Sequence, residues 1–354
     1  MTRYSRFIYL LSFFSKTVSP FFHVLFLSSA LPIVLAESAN CETSIRSREI
    51  SEISNDLCLC DFDNAIKFSQ DLIVAEPSNP VGFFLLGGIY QTISEDFRTD
   101  YLKDSIIEYL DSAITLADYR IENDDTNPDW FFIKGASHGY RALFRAFHGD
   151  WWRAFQDGLR CSDNLKKSLK IDSTMYDAYY ALGAYHYWKT IKSKLFIWLP
   201  FVRDRREEGI AEIKKTIEFG SIASFNARQT LLRIYVNEGR FDEAALLGDS
   251  LNQVSQNDPY SLLYSAQALI ACNRLEQAEN KLRSLRAAWK GSRFYDPFGF
   301  YEAEYYSAQI FLKNDDRESA KKIIDKILSY KKNGRDNAYF AETVDKAEDL
   351  LAEF

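Results

Sequence analysis

Leu231-Leu232-Arg233-Ile234-Tyr235-Val236-Asn237-Glu238-Gly239-Arg240-Phe241-Asp242-Glu243-Ala244 is the stretch whose reading decides the fold. Leu231 and Tyr235 lie four residues apart and share one face of a helix. Gly239 then loosens the chain for a turn. Ala244 follows, small enough to let a second helix lie close against the first, and Leu251 continues that second apolar face. The pattern is the hinge of a helical hairpin. It recurs. Ala278 stands 34 residues after Ala244, in Asn273-Arg274-Leu275-Glu276-Gln277-Ala278, with Ala266 and Leu282 as the small and large apolar partners. A third copy runs through Ala308, Phe311, Asn314 and Ala320, with Ile324 and Ile327 extending its face. The step from Ala278 to Ala320 is 42, which places an eight-residue insertion within 289–297. A fixed step of this size marks stacked supersecondary units, none of which buries its apolar face alone.

The same phase continues upstream. Ala65 precedes Pro77 by twelve residues, and Phe83, Leu86, Gly87 and Tyr90 follow. Tyr179, Leu182, Gly183 and His186 repeat that opening with His in the last place. Phe83-x₂-Leu86-Gly87-x₂-Tyr90 matches W-x₂-L-G-x₂-Y with Phe for Trp, so the chain resembles the tetratricopeptide repeat (TPR) proteins. The clear copies cover residues 62–90, 176–220, 226–256, 259–285 and 300–328. The resemblance implies an all-α, right-handed superhelical solenoid of TPR-like helical hairpins. Its concave groove would be lined by the first helix of each pair and would bind a protein or peptide.

Looser helix pairs fill the gaps. Residues 101–119 carry a helical stripe through Ile106, Leu110, Ala113, Ile114 and Ala117, while 129–147 and 151–171 form an aromatic-rich pair. Residues 118–128 read as a long polar loop. The last segment, 337–354, is amphipathic through Phe340, Val344, Ala347, Leu350 and Leu351. It is expected to be a C-terminal capping helix, with Glu342, Asp345, Lys346, Glu348, Asp349 and Glu353 on its outer side. The organisation expected is a targeting segment at 1–36, a lead-in helix at 37–60, a repeat array at 61–334 and a cap at 335–354. An apolar and basic insert interrupts the array at 189–206.

Composition agrees with this plan. Only 15 Gly and 8 Pro in 354 residues argue against an all-β chain rich in tight turns. The first 36 residues hold Arg3, Arg6 and Lys16 and no acid, which leaves 40 basic against 50 acidic residues in the rest. A body of that charge has no general drive toward nucleic acid, and none is expected as a partner. Basic residues, apolar blocks at 7–14 and 21–35 and a Val34-Leu35-Ala36 end follow the order of a secretory signal peptide. An uncleaved membrane anchor competes, because 7–35 nearly supplies the length of a span. Either way the body is expected to be exported, periplasmic or tethered at the cell envelope. The five cysteines are odd in number, so at least one stays outside any intrachain pair; Cys41 bridging Cys58 or Cys60 is one option, and buried thiols are another.

No catalytic constellation emerges. His138, His148 and His186 are at least ten residues apart, and no Gly-x-Ser-x-Gly elbow, phosphate loop or dinucleotide fingerprint is present. The chain is not expected to be an enzyme or to carry a cofactor or metal. The groove candidates are non-consensus residues of first helices: Tyr180 and Tyr187, then Asn226, Arg233 and Asn237, then Tyr264 and Gln267. Arg and Asn there suit charge-assisted hydrogen bonds to a peptide backbone or carboxylate. Phe196, Trp198 and Phe201 in the insert, with Arg203 and Arg205 beside them, suit an anionic membrane surface, a partner's apolar groove, or packing on the aromatic pair at 129–171. The function expected is a non-catalytic scaffold binding a protein or peptide at the envelope. The alternative is an accessory subunit of an envelope transporter or membrane-associated complex enclosing a small apolar ligand.

Overall fold

The computed structural model describes residues 58–192, 203–331 and 337–352, together with 44, 45, 47, 50 and 54. Fourteen helices and no strand occur among the described residues. They are α1 (Phe62–Ala75), α2 (Pro80–Phe97), α3 (Lys103–Asn123), α4 (Pro128–Phe147) and α5 (Trp151–Ile171). Next come α6 (Tyr176–Lys192), α7 (Arg206–Phe219), α8 (Ser224–Asn237), α9 (Phe241–Val254) and α10 (Pro259–Ala271). The chain closes with α11 (Leu275–Lys290), α12 (Tyr301–Lys313), α13 (Arg317–Ser329) and α14 (Ala338–Leu351).

Local chemistry explains where several of these helices begin. Asn79, Asn127 and Asp258 cap α2, α4 and α10, their side chains accepting from Val81, Asp129 and Ser261 backbone N–H, and each is followed by proline at the first helical position. That combination satisfies orphan donors while pre-setting φ for the helix. Within five hairpins the turn passes through a single left-handed residue: Arg98, Gly149, Gly239, Asn273 and Asp315. Glycine enters this region freely, and Asn and Asp tolerate it better than most residues. Gly239 to Asn273 is again 34 residues and Asn273 to Asp315 is 42, so the backbone carries the same period as the alanines.

Each helix packs on the next, and the even-numbered helices from α2 to α14 also stack directly on one another. The result is a helical solenoid of two layers, with α2, α4, α6, α8, α10, α12 and α14 inside and α3, α5, α7, α9, α11 and α13 outside. Ala65, Ala244, Ala278 and Ala320, the small residues that set the period, are completely buried in it. Gly183 of α6 faces Gly209 of α7 so closely that a Cβ on either would lie 2.5 Å from the other's carbonyl oxygen. At that contact only hydrogen fits.

Helices 129–147 and 151–171 fall where the pattern places them, and the insertion window 289–297 covers the end of α11 and most of the stretch before α12. The long loop expected at 118–128 is shorter: α3 runs on to Asn123. Its last turns are docked, with Asp118 paired to Lys134 of α4 and Arg120 Nη2 donating to the Ser78 carbonyl at 3.0 Å. The outer charged side expected for the final helix is also divided. Glu342 and Lys346 turn inward instead, because α14 packs as an inner helix against α12. In the insert, α6 ends at Lys192 and α7 begins at Arg206; Phe196, Trp198 and Phe201 lie outside the described residues, as do 1–43. Cys60, Cys161 and Cys272 are free thiols, and Cys58 Sγ donates to the Ser54 carbonyl at 3.2 Å; Cys41, the other end of the bridge considered above, lies outside the described residues. Among the described residues no helix is long and apolar enough to cross a membrane.

The inner layer curves until its ends meet. Helix α2 touches α10, and Trp289 Nε1 donates to the Asp96 carbonyl at 2.5 Å. Arg98 Nε donates to Glu302 at 2.6 Å, and Asn337 Nδ2 donates to the Arg98 carbonyl at 2.9 Å. The Ala338 N–H reaches Asp100 at 2.6 Å. The first hairpin is thereby joined to the last helices across the concave side.

Candidate functional site

Where those ends meet, α2, α8, α10, α12 and α14 line an open cleft of about 120 Å³. Four residues singled out from the sequence line it: Arg233 and Asn237 from α8, Tyr264 and Gln267 from α10. Arg98, Glu302, Tyr306, Tyr339, Glu342 and Lys346 complete most of the wall. Asn237 and Gln267 retain solvent exposure and mark the mouth, whereas Arg233 and Tyr264 are buried behind them.

Charges dominate this cleft. Glu302 accepts from Arg98 and from Lys346 Nζ at 3.3 Å, and Lys346 also pairs with Glu342 at 2.8 Å. Burial alone would raise the Glu302 pKa, but Arg98 and Lys346 overcome it and hold the carboxyl well below its usual range. Glu95, in the last turn of α2, goes the other way. Burial pushes its pKa up to about 8, against the opposing effects of the Gln91 amide, which donates to it at 2.9 Å, and of Arg233 and Arg98. It is thus mostly uncharged at neutral pH.

Arg233 is the exceptional cation. It is 3% exposed, and neither terminal nitrogen has a hydrogen-bond partner. Its guanidinium carbon sits 4.9 Å from the Trp188 ring centre and 5.4 Å from that of Tyr264. A desolvated guanidinium over aromatic rings gains about 2 kcal/mol. Both terminal nitrogens are closed off from solvent, and a buried donor without an acceptor costs roughly 1–3 kcal/mol.

The other groove candidates serve the wall rather than the cleft. Tyr180, 1% exposed, joins α6 to α8 through Thr230 Oγ1 at 3.0 Å. Tyr187 Oη donates to Glu238 at 2.7 Å and accepts from Asn237 Nδ2 at 2.7 Å, so it holds a mouth residue from below. Asn226 is buried on α8 away from the lining. Of the insert residues, Arg203 is exposed and Arg205 Nε donates to Glu208 at 2.6 Å. The residues missed from the sequence, Arg98, Glu302, Tyr339 and Lys346, come from opposite ends of the array, and no local spacing relates them.

The three described histidines are tied to acids: His138 Nδ1 lies 3.2 Å from Asp157, His148 Nε2 3.1 Å from Asp100, and His186 Nδ1 2.6 Å from Glu212. His186, Glu208 and Glu212 bring three potential metal-ligand atoms within 4.8 Å of one another. Arg205 and the His186–Glu212 contact already engage those carboxylates.

Fold and cleft together define a helical-hairpin solenoid with a charged inner cleft. No protein-family model and no curated protein sequence matches the chain. Among solved structures it is similar to the crystal structure of yeast Tom70, at 12% identity and a TM-score of 0.33, covering 87% of this chain and 90% of that one. That superposition is loose, and the solenoid rests on the helix packing within this chain.

Proposed function

We propose that the protein is a non-catalytic scaffold, exported to or tethered at the cell envelope, that engages a protein or peptide partner at the mouth of the inner cleft. The observation that carries this reading is the convergence of Arg233, Asn237, Tyr264 and Gln267, from two successive inner helices, on a single opening. Asn237 and Gln267 offer amide groups suited to a partner's backbone.

A photo-crosslinking side chain placed at position 267 in the native host tests it. A discrete adduct is expected there and not from position 246 on α9, where Leu246 is 71% exposed on the outer layer. Asn237→Ala should weaken that adduct several-fold. Equal labelling from both positions would overturn the reading. Sequencing the mature N-terminus from the same material tests export, with a start at residue 37 expected for a cleaved signal. Deleting residues 195–202 and comparing membrane fractions tests surface contact by the insert. A second reading, an accessory subunit of an envelope transporter holding a small ligand, is favoured by the cleft's volume of about 120 Å³, which admits a small molecule more readily than an extended chain.

A further inference from the structure

We propose that the outward face of the first half of α5 is a docking surface for a lipid bilayer with anionic headgroups. The proposal stands on described residues of the outer layer and does not depend on what binds at the mouth of the inner cleft.

An outer helix ordinarily turns polar side chains to solvent. From Trp152 to Leu159, α5 does not. Trp152, Phe155 and Leu159 are 69%, 48% and 39% exposed. At about 100° per residue they fall within about 60° of arc, on a single stripe. The Trp152 and Phe155 rings are stacked, with centres 6.3 Å apart. Among the described residues no other helix exposes more than two large apolar side chains. Single exposed apolar residues are ordinary, whereas a contiguous stripe marks a contact surface.

The charges beside the stripe select its occupant. Arg153, Arg160, Lys166, Lys167 and Lys170 of α5 stand against two acids, Asp157 and Asp163, in a body whose balance from residue 37 on is 40 basic to 50 acidic. Arg153, Arg160 and Lys167 recur every seven residues and so form a column along one flank of the stripe. Arg153 and Arg160 are more than half exposed. Their nearest acids do not cancel this column: Asp157 is fully buried and shared with Arg141 and Arg145, and Asp150 meets Arg153 only at 3.4 Å. On the opposite flank Gly158 packs against Tyr185 of α6, whose hydroxyl accepts from the exposed Lys189 at 3.0 Å. Aromatic rings set between cations match a membrane interface, where rings sit at headgroup level and Arg and Lys reach lipid phosphates. A bilayer also accepts a projecting ridge without a matching pocket.

The test uses the full chain with an environment-sensitive fluorescent amino acid at position 155, mixed with vesicles of phosphatidylcholine alone or with added phosphatidylglycerol. The readout is local, so lipid contact elsewhere in the chain does not reproduce it. A blue shift is expected with the anionic vesicles, absent from the same reporter at position 246 on α9 and lost in high salt as the charges are screened. Arg153→Gln with Arg160→Gln should raise the anionic-lipid concentration at half-shift roughly tenfold, and Arg153→Lys with Arg160→Lys should leave it unchanged. Trp152→Ser, read from a reporter at position 159, should weaken the response several-fold with the helical circular dichroism retained. An unshifted reporter at 155, equal shifts at 155 and 246, or an equal shift with phosphatidylcholine alone would overturn the assignment. So would a shift that grows with protein concentration without vesicles, which would make the face an interface between copies. A shift reproduced by heparin without vesicles would equally overturn it, because the face would then read charge and not a bilayer. None of these outcomes alters the cross-linking expected from position 267.

Discussion

Glu95 shows how a single buried group couples this fold to pH. Its pKa is near its ordinary value of 4.5 in the unfolded chain and rises to about 8 in the folded one, chiefly through burial. Between those values the folded protein holds a proton that the unfolded chain has released. Its contribution to stability is thus fully present below about pH 4.5 and is lost as pH rises through about 8. Asp96 and Asp258, raised mainly by burial, act in the same direction. The melting temperature is expected to fall from pH 5 to pH 8, and Glu95→Gln should flatten that decline; parallel curves for the two proteins would contradict it. Glu95 was not visible as a special residue in the sequence, because its shift comes from burial within an inner layer that closes on itself.

At the scale of elements, the hairpins are held together by close approach and by their turns. Gly183→Ala should destabilise by about 1–3 kcal/mol, since a Cβ there meets the Gly209 carbonyl at 2.5 Å and both helices must shift. Gly149→Ala should cost only about 1 kcal/mol, because its φ of +81° is strained for alanine while nothing lies within 4 Å. Urea midpoints at unchanged slope measure both, and a larger loss at Gly149 would show that the α6–α7 contact is softer than its geometry implies. The glycines and alanines were legible beforehand, since they recur in step and their neighbours are local. The extent of α3 was not, because its final turns are fixed by Lys134 and Ser78 on other helices.

The whole molecule is defined by closure of the inner layer. Arg98 and Glu302, 204 positions apart, form a buried pair at 2.6 Å, and Arg98 takes a left-handed backbone that most side chains avoid. Removing one partner of a buried pair costs roughly 3–5 kcal/mol. Arg98→Met and Glu302→Gln should each destabilise on that scale, and the double variant by clearly less than their sum, because neither then leaves an uncompensated charge. A double-mutant cycle by urea unfolding measures the coupling, and strict additivity would show that the pair does not join the two ends. Small-angle scattering of Arg98→Met should show an increased radius of gyration if the join keeps the array closed.

The sequence by itself determined the helical class, the period and the positions of most helices. Those properties depend on small and large apolar residues at short, repeating spacings, and each unit meets chiefly its neighbours. It also pointed to Arg233, Asn237, Tyr264 and Gln267 as inner-face residues through their phase in the repeat. Only the tertiary structure decided that these four share one cleft with Arg98, Glu302 and Lys346, and that Arg233 is buried there without a hydrogen-bond partner for its terminal nitrogens. The reason is geometric: small rotations accumulate from hairpin to hairpin, and their sum, which no local pattern encodes, brings the first hairpin against the last.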